Sequence, residues 1–152
     1  MDKKTYRKIL DNAIQGEIEA HQFYQKVADK VEDAYLKDLF KGLAAEERKH
    51  QKILEGFRDK ADMGIHFART PDFHLAETME APKSLSIQMK PADAIALAMK
   101  KEEEAMRQYT QLADACNDPG QQKVFRELAA MEQGHKNKME NAFVDIGYPE
   151  VW

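Results

Sequence analysis

The chain has 152 residues, a mass of 17.5 kDa and a net charge of -4, room for one domain and hardly two. Hydrophobic residues make up 43% and charged residues 33%, with only seven glycines and five prolines, which excludes collagen-like, low-complexity and turn-rich all-β classes. No apolar run of about eighteen residues exists to span a bilayer, the single Cys116 excludes a disulfide framework or a four-thiolate metal centre, and the charge gives no electrostatic reason to expect nucleic acid or anionic lipid.

Four segments carry helical periodicity. The first runs from Lys3 to Asp29 through Ile9, Leu10, Ala13, Ile14, Glu17, Ala20 and Tyr24. Ahead of it, Met1–Arg7 lacks the apolar core of a signal peptide, so a cytoplasmic, reducing location is expected. The second runs from Ala34 to Arg58 through Leu39, Phe40, Leu43, Ala44, Glu47, His50 and Leu54. Residues 59–90 then form one long connector with Gly64, Pro71 and Pro82 and no sustained period. Its His66 and His74, beside Phe67 and Phe73, read as a loop packed on helices. The third segment starts at Pro91, pre-set for a first helical position, and runs to Cys116 through Ile95, Ala98, Met99, Glu102, Ala105 and Tyr109. The fourth follows Asp118-Pro119, with Asp118 as N-cap and Gln121 three residues on, and ends near Asp145.

The chain repeats itself at an offset of 85 residues, as from Glu17 to Glu102. Ala13, Glu17, Glu19, Ala20, Tyr24 and Ala28 recur as Ala98, Glu102, Glu104, Ala105, Tyr109 and Ala113. Phe40, Leu43, Ala44, Glu47, His50 and Glu55 recur as Phe125, Leu128, Ala129, Glu132, His135 and Glu140. Alanine and leucine coincide through composition alone, so the Glu, His and Tyr matches carry the information. They describe two copies of one helical hairpin.

Each copy plants acids on an apolar stripe. Glu17 shares its face with Ala13, Ile14, Ala20 and Tyr24, and Glu47 with Phe40, Leu43, Ala44 and Leu54. Of the run Glu102-Glu103-Glu104, the period selects Glu102 as inward and turns the other two toward water. His50 and His135 stand three residues after Glu47 and Glu132, on the same faces. Within each hairpin the two Glu residues lie at matching distances from the turn, to within about one helical turn. All six side chains can meet at one level of a four-helix bundle. Four buried carboxylates together cannot stay ionised without cations. Two divalent ions would neutralise them, and carboxylates with two imidazoles suit iron or manganese better than a structural zinc. A two-fold relation between the hairpins makes helices two and three parallel, which requires a crossover of full bundle length. The connector's roughly thirty residues can span it.

One Glu from each of two helices with Glu-x-x-His from each of the other two is the arrangement of ferritin-like di-metal bundles. The sequence resembles the rubrerythrin-type di-iron domain of that superfamily, through Gly16-Glu17 with Tyr24, Phe40-x-x-Leu43-Ala44-x-x-Glu47-x-x-His50, and the repeat Phe125-x-x-Leu128-Ala129-x-x-Glu132-x-x-His135. The resemblance implies an all-α, ferritin-like four-helix bundle with a long crossover between helices two and three. It implies that Glu17, Glu47, His50, Glu102, Glu132 and His135 ligate two Fe ions, with Mn as the alternative, and that Tyr24 and Tyr109 donate hydrogen bonds to ligand carboxylates.

Two departures bear on function. Peroxidase-type rubrerythrins carry a further Glu three residues after the third-helix Glu, where this chain has Ala105. No paired Cys-x-x-Cys motif of a rubredoxin module is present, so electrons would come from a separate donor such as a rubredoxin-like protein. The short stretch after helix four argues against a ferritin-like storage cage. The expectation is a non-haem di-iron oxidoreductase reacting with O2 or peroxide. The competing expectations are an iron-binding or iron-handling protein without turnover, and a metal-free interaction bundle. A homodimer is expected, the long crossover allowing hairpins to be exchanged between chains, with no nucleic-acid or membrane partner. His21 reads as a residue of a helix–helix boundary, and Cys116 as a small apolar residue.

Overall fold

A computed structural model describes residues 1–60 and 90–147. They form four helices, α1 (Lys3–Lys30), α2 (Ala34–Asp59), α3 (Pro91–Ala115) and α4 (Pro119–Gly147), and no strand is found among the described residues. Each expected helix is present, with its ends displaced by no more than a residue or two. The connector expected at 59–90, with His66 and His74, lies outside the described residues apart from its two ends. None of the described helices is long and apolar enough to cross a membrane. The chain divides into two compact units: α1 and α2 with Asn117–Gln121, and α3 with the remainder of α4.

In the first unit, Asp2 and Asp33 cap the two helices by accepting from the backbone N–H groups of Thr5 (2.7 Å) and Leu36 (2.9 Å). The buried positions of α1 are Leu10, Ile14, Glu17, Tyr24, Val27 and Ala28, one stripe at three-, four- and seven-residue steps. Those of α2 include Phe40, Leu43, Ala44, Glu47, His50, Leu54 and Phe57. The two stripes pack on each other. Leu10, Phe40 and Leu54 are wholly buried, each worth about 1.5–3 kcal/mol of transfer free energy. At the far end of the hairpin Arg58 donates to Asp11 of α1 and to Asp59, each at 3.0 Å. The bond from Arg58 foremost, with the charges of Arg58 and Arg7, holds the Asp59 carboxyl below its usual range.

In the second unit α3 starts with Pro91 in its first turn, where a missing N–H costs nothing. Ala94, Ile95, Ala96, Leu97, Ala98 and Met99 are all buried, so that part of α3 is covered on every side. α4 likewise buries an unbroken run from Glu127 to Glu132.

The two turns repeat in atomic detail at the 85-residue offset. Asp118 accepts from the Gln121 N–H at 3.0 Å, as Asp33 does from Leu36. The Gln121 side chain, expected to complete a capping box, donates to the Met1 carbonyl at 3.1 Å. Lys37 donates from α2 to the Ala28 carbonyl at 2.7 Å, and Gln122 donates from α4 to the Ala113 carbonyl at 3.1 Å. The first reaches a carbonyl of the last helical turn, where intrahelical donors run out, and the second joins the Cys116 N–H on the Ala113 carbonyl. The rings of Tyr24 and Phe40 lie 6.1 Å apart between centroids, and those of Tyr109 and Phe125 6.4 Å. Such pairs add about 0.5–1.5 kcal/mol beyond their buried area.

Candidate metal centre

Glu17, Glu47, His50, Glu102, Glu132 and His135 are all buried, none more than 8% exposed. The helical period accounts for this: each stands on the stripe that its helix turns inward. In the first unit His50 Nδ1 lies 3.6 Å from Glu17 Oε1, across α1 and α2, and Glu47 sits one turn before His50 on the same face. In the second unit His135 Nδ1 lies 3.0 Å from Glu102 Oε1. Ligand-type atoms of Glu102, Glu132 and His135 lie within 4.8 Å of one another. Ligands about 2.0–2.2 Å from one ion stand at most about 4.4 Å apart, so a few tenths of an ångström of adjustment would close this set on a cation.

The donor chemistry fits an iron-type ion. Each hairpin brings two carboxylates and one imidazole and no thiolate, a set that suits Fe or Mn and leaves coordination positions open. The surroundings fit as well. Phe40, Leu43 and Ala44 lie one to two turns before Glu47 and His50, and Phe125, Leu128 and Ala129 hold the same places before Glu132 and His135. Carboxylates so enclosed are costly unless cations or protons compensate them.

Tyr24 and Tyr109 are buried, with their rings against Phe40 and Phe125. His21 occupies the expected boundary. Its Nδ1 lies 2.6 Å from the Ala44 carbonyl, which can only accept, so Nδ1 carries the proton and Nε2 faces Arg48 at 3.4 Å. Cys116 is buried at the end of α3.

One expectation is overturned. Glu103 does not face water: it is buried with Glu102, and of the three acids only Glu104 is exposed. Glu103 Oε2 accepts from Lys136 Nζ at 2.5 Å, and its Oε1 accepts from Arg107 at 2.9 Å. Lys136 also lies 3.7 Å from Glu140, and both of those residues are wholly buried. Periodicity missed this group because it assumed one buried face per helix. The signal was the unbroken apolar run Leu128-Ala129-Ala130-Met131, too wide for one stripe.

The rubrerythrin family model matches residues 8–143. The chain belongs to the rubrerythrin family. Its fold class is accordingly all-α, of the ferritin-like four-helix bundle type. Among solved structures, a hypothetical protein from Pyrococcus furiosus is similar at 27% identity and a TM-score of 0.61, over 91% of this chain and 87% of that one. No curated protein matches the chain. Family membership with carboxylate and histidine candidates on both hairpins makes this a non-haem di-iron type of protein.

Proposed function

We propose that the chain is an oxidoreductase that reduces O2 or peroxide at a di-iron centre, using electrons from a separate rubredoxin-like donor. The observation that carries this reading is the meeting of Glu102, Glu132 and His135 within 4.8 Å on one hairpin of a rubrerythrin-family chain. Glu17, Glu47 and His50 repeat that set on the other hairpin, and the six together would hold two irons. Manganese would be held by the same donors. When bound, the irons would supply the electron-transfer chemistry.

The chain's own residues do the rest. The four carboxylates match a charge of +4, so the filled centre is neutral inside an apolar interior. His50 and His135 present Nδ1 toward Glu17 and Glu102, the side on which a shared ion would sit. The phenylalanine and alanine neighbours exclude water and so strengthen every interaction inside. Tyr24 and Tyr109 would hold ligand carboxylates in orientation. A homodimer, with or without exchanged hairpins, and a reducing cytoplasm complete the proposal. The lone cysteine supports that location.

Anaerobic protein loaded with Fe(II) and exposed to O2 or peroxide tests the activity. The expected result is a change in the iron spectrum with accelerated oxidant consumption; neither occurring would refute it. Ala105 favours a second reading, iron handling without turnover, because peroxidase-type relatives carry a Glu at that place. Iron that loads and unloads reversibly, with no turnover given a reduced donor, would establish that alternative.

A further inference from the structure

The α3–α4 hairpin carries a second buried polar group beside the candidate ligands, which the proposed chemistry leaves unused. Glu103 follows Glu102 on α3, and Lys136 follows His135 on α4. Lys136 Nζ donates to Glu103 Oε2 at 2.5 Å, and the pair is buried, Lys136 wholly so. Each partner is also held from its own helix, one turn further on. Arg107 Nε donates to Glu103 Oε1 at 2.9 Å, and Glu140 lies 3.7 Å from Lys136. The row Arg107, Glu103, Lys136 and Glu140 alternates in sign and sums to zero, so it adds no net charge beside the ligands.

A buried ion pair is a poor source of stability, since well-packed apolar residues of similar volume do as well or better. What it supplies is a fixed geometry. At the repeat-related places of the first hairpin stand Ile18 and Gln51, and α1 packs on α2 with no charge pair there. Closing a hairpin of this pattern therefore does not call for one. Neighbouring residues on a helix point about 100° apart. The contact of Glu102 with His135 at 3.0 Å and that of Glu103 with Lys136 thus join α3 to α4 at one level in two directions. One contact limits the separation of two helices; two in different directions also limit the rotation of each about its axis. Side-chain ends stand about 5–6 Å from a helix axis, so a rotation of about 10° carries them about 1 Å. Binding constellations tolerate only about 0.5 Å. Glu132 lies four residues before Lys136 on the same side of α4, so any rotation there displaces it together with His135.

We propose that Glu103 and Lys136 are positioning residues for a divalent transition-metal ion held by Glu102, Glu132 and His135. Their ion pair, pinned at its ends by Arg107 and Glu140, sets the rotation of α3 and α4 at which the three ligands meet. The assignment rests on the metal-binding reading above. The pair touches no substrate and acts on the ion only through the helices that carry its ligands.

Full-length, chelator-stripped protein titrated anaerobically with Co(II), followed by its visible absorption against a competing chelator, tests this. The absorption that His135→Ala removes belongs to the ion on Glu102, Glu132 and His135. Lys136→Met should weaken that binding at least about tenfold and shift its visible bands. Charge alone predicts the opposite, because taking an ammonium away from beside a cation tightens the cation's binding. Arg107→Ala changes a side chain that is 61% exposed and should weaken the binding about threefold, again against the sign that charge predicts. The exchange Glu103→Ile/Lys136→Gln alters no net charge, installs the first hairpin's residues and should weaken binding as Lys136→Met does. Lys136→Arg keeps the bond to Glu103 and should stay within about threefold of wild type. Helix content by circular dichroism should match wild type throughout. Wild-type or tighter binding in Lys136→Met or in Arg107→Ala, or an absorption that His135→Ala leaves intact, would overturn the positioning role while leaving the metal-binding reading in place. No cobalt uptake by the wild-type chain would overturn both. Should Lys136→Met fail to fold, Arg107→Ala decides alone.

Discussion

His135 Nδ1 stands 3.0 Å from Glu102 Oε1, with both residues buried at the level where α3 and α4 face each other. Imidazole and carboxylate meet in the metal-free chain and, in the function proposed above, would both be ligands of a bound cation. Metal occupancy and fold stability are therefore coupled.

The first prediction follows from that coupling. A cation at about one hundred times its dissociation constant adds about 2.7 kcal/mol per site to folding stability. For a chain of this length that raises the melting temperature by about 5–10 °C. Calorimetry of the chelator-stripped protein with and without Fe(II) or Mn(II) measures it. A melting temperature indifferent to every cation would mean that the buried acids hold none.

Breaking the buried ion pair from one side should be expensive. Lys136→Met takes the buried ammonium away from Glu103, which keeps Arg107, and from Glu140, at a cost of about 3–5 kcal/mol. The double exchange Glu103→Ile/Lys136→Gln should cost at least about 1 kcal/mol less than the two single changes summed. Urea unfolding of the four proteins in the cycle gives the coupling.

The repeated turns predict matched losses. Asp33→Ala and Asp118→Ala each remove a side-chain acceptor from a helix N-terminus and should each cost about 1 kcal/mol. Gly42→Ala should act in the opposite sense. Gly42 is mid-helix and exposed, a Cβ there meets nothing within 4 Å, and the gain should be about 0.5–1 kcal/mol. Thermal melts of the three variants compare them directly.

The start of α1 carries a pH dependence of known sign. The bond from the Thr5 N–H holds the Asp2 carboxyl below the usual carboxylate range in the folded chain. Its capping contribution is complete above the unfolded value and is lost as the pH falls through the lowered folded value. Amide exchange at Thr5 should therefore quicken with acidification relative to mid-helix amides, and Asp2→Asn should remove that dependence.

Much of this was legible in the residues. Periodicity located the four helices because each buries a stripe whose spacing the backbone dictates. The 85-residue repeat singled out six ligand-type residues, and all six are buried on those stripes. The connector at 59–90 carried no period from which to read its course. Glu103 was misread because adjacent residues were assigned to opposite environments. Burial of both Glu102 and Glu103 requires cover on more than one side of α3, and that comes from packing partners distant in sequence. His21 was placed correctly because a polar ring at the edge of a stripe has a backbone carbonyl of the next helix within reach.

The bonds from Lys37 to Ala28 and from Gln122 to Ala113 close the two bends in the same way with different chemistry, an ammonium in one and an amide in the other. The geometry is common to the two bends and the residue is not. The hairpin thus reads as a module copied whole, whose descendants kept the hinge and the ligands and diverged beside them. Beside those shared positions the two copies differ, Ile18 and Gln51 in one standing where Glu103 and Lys136 stand in the other.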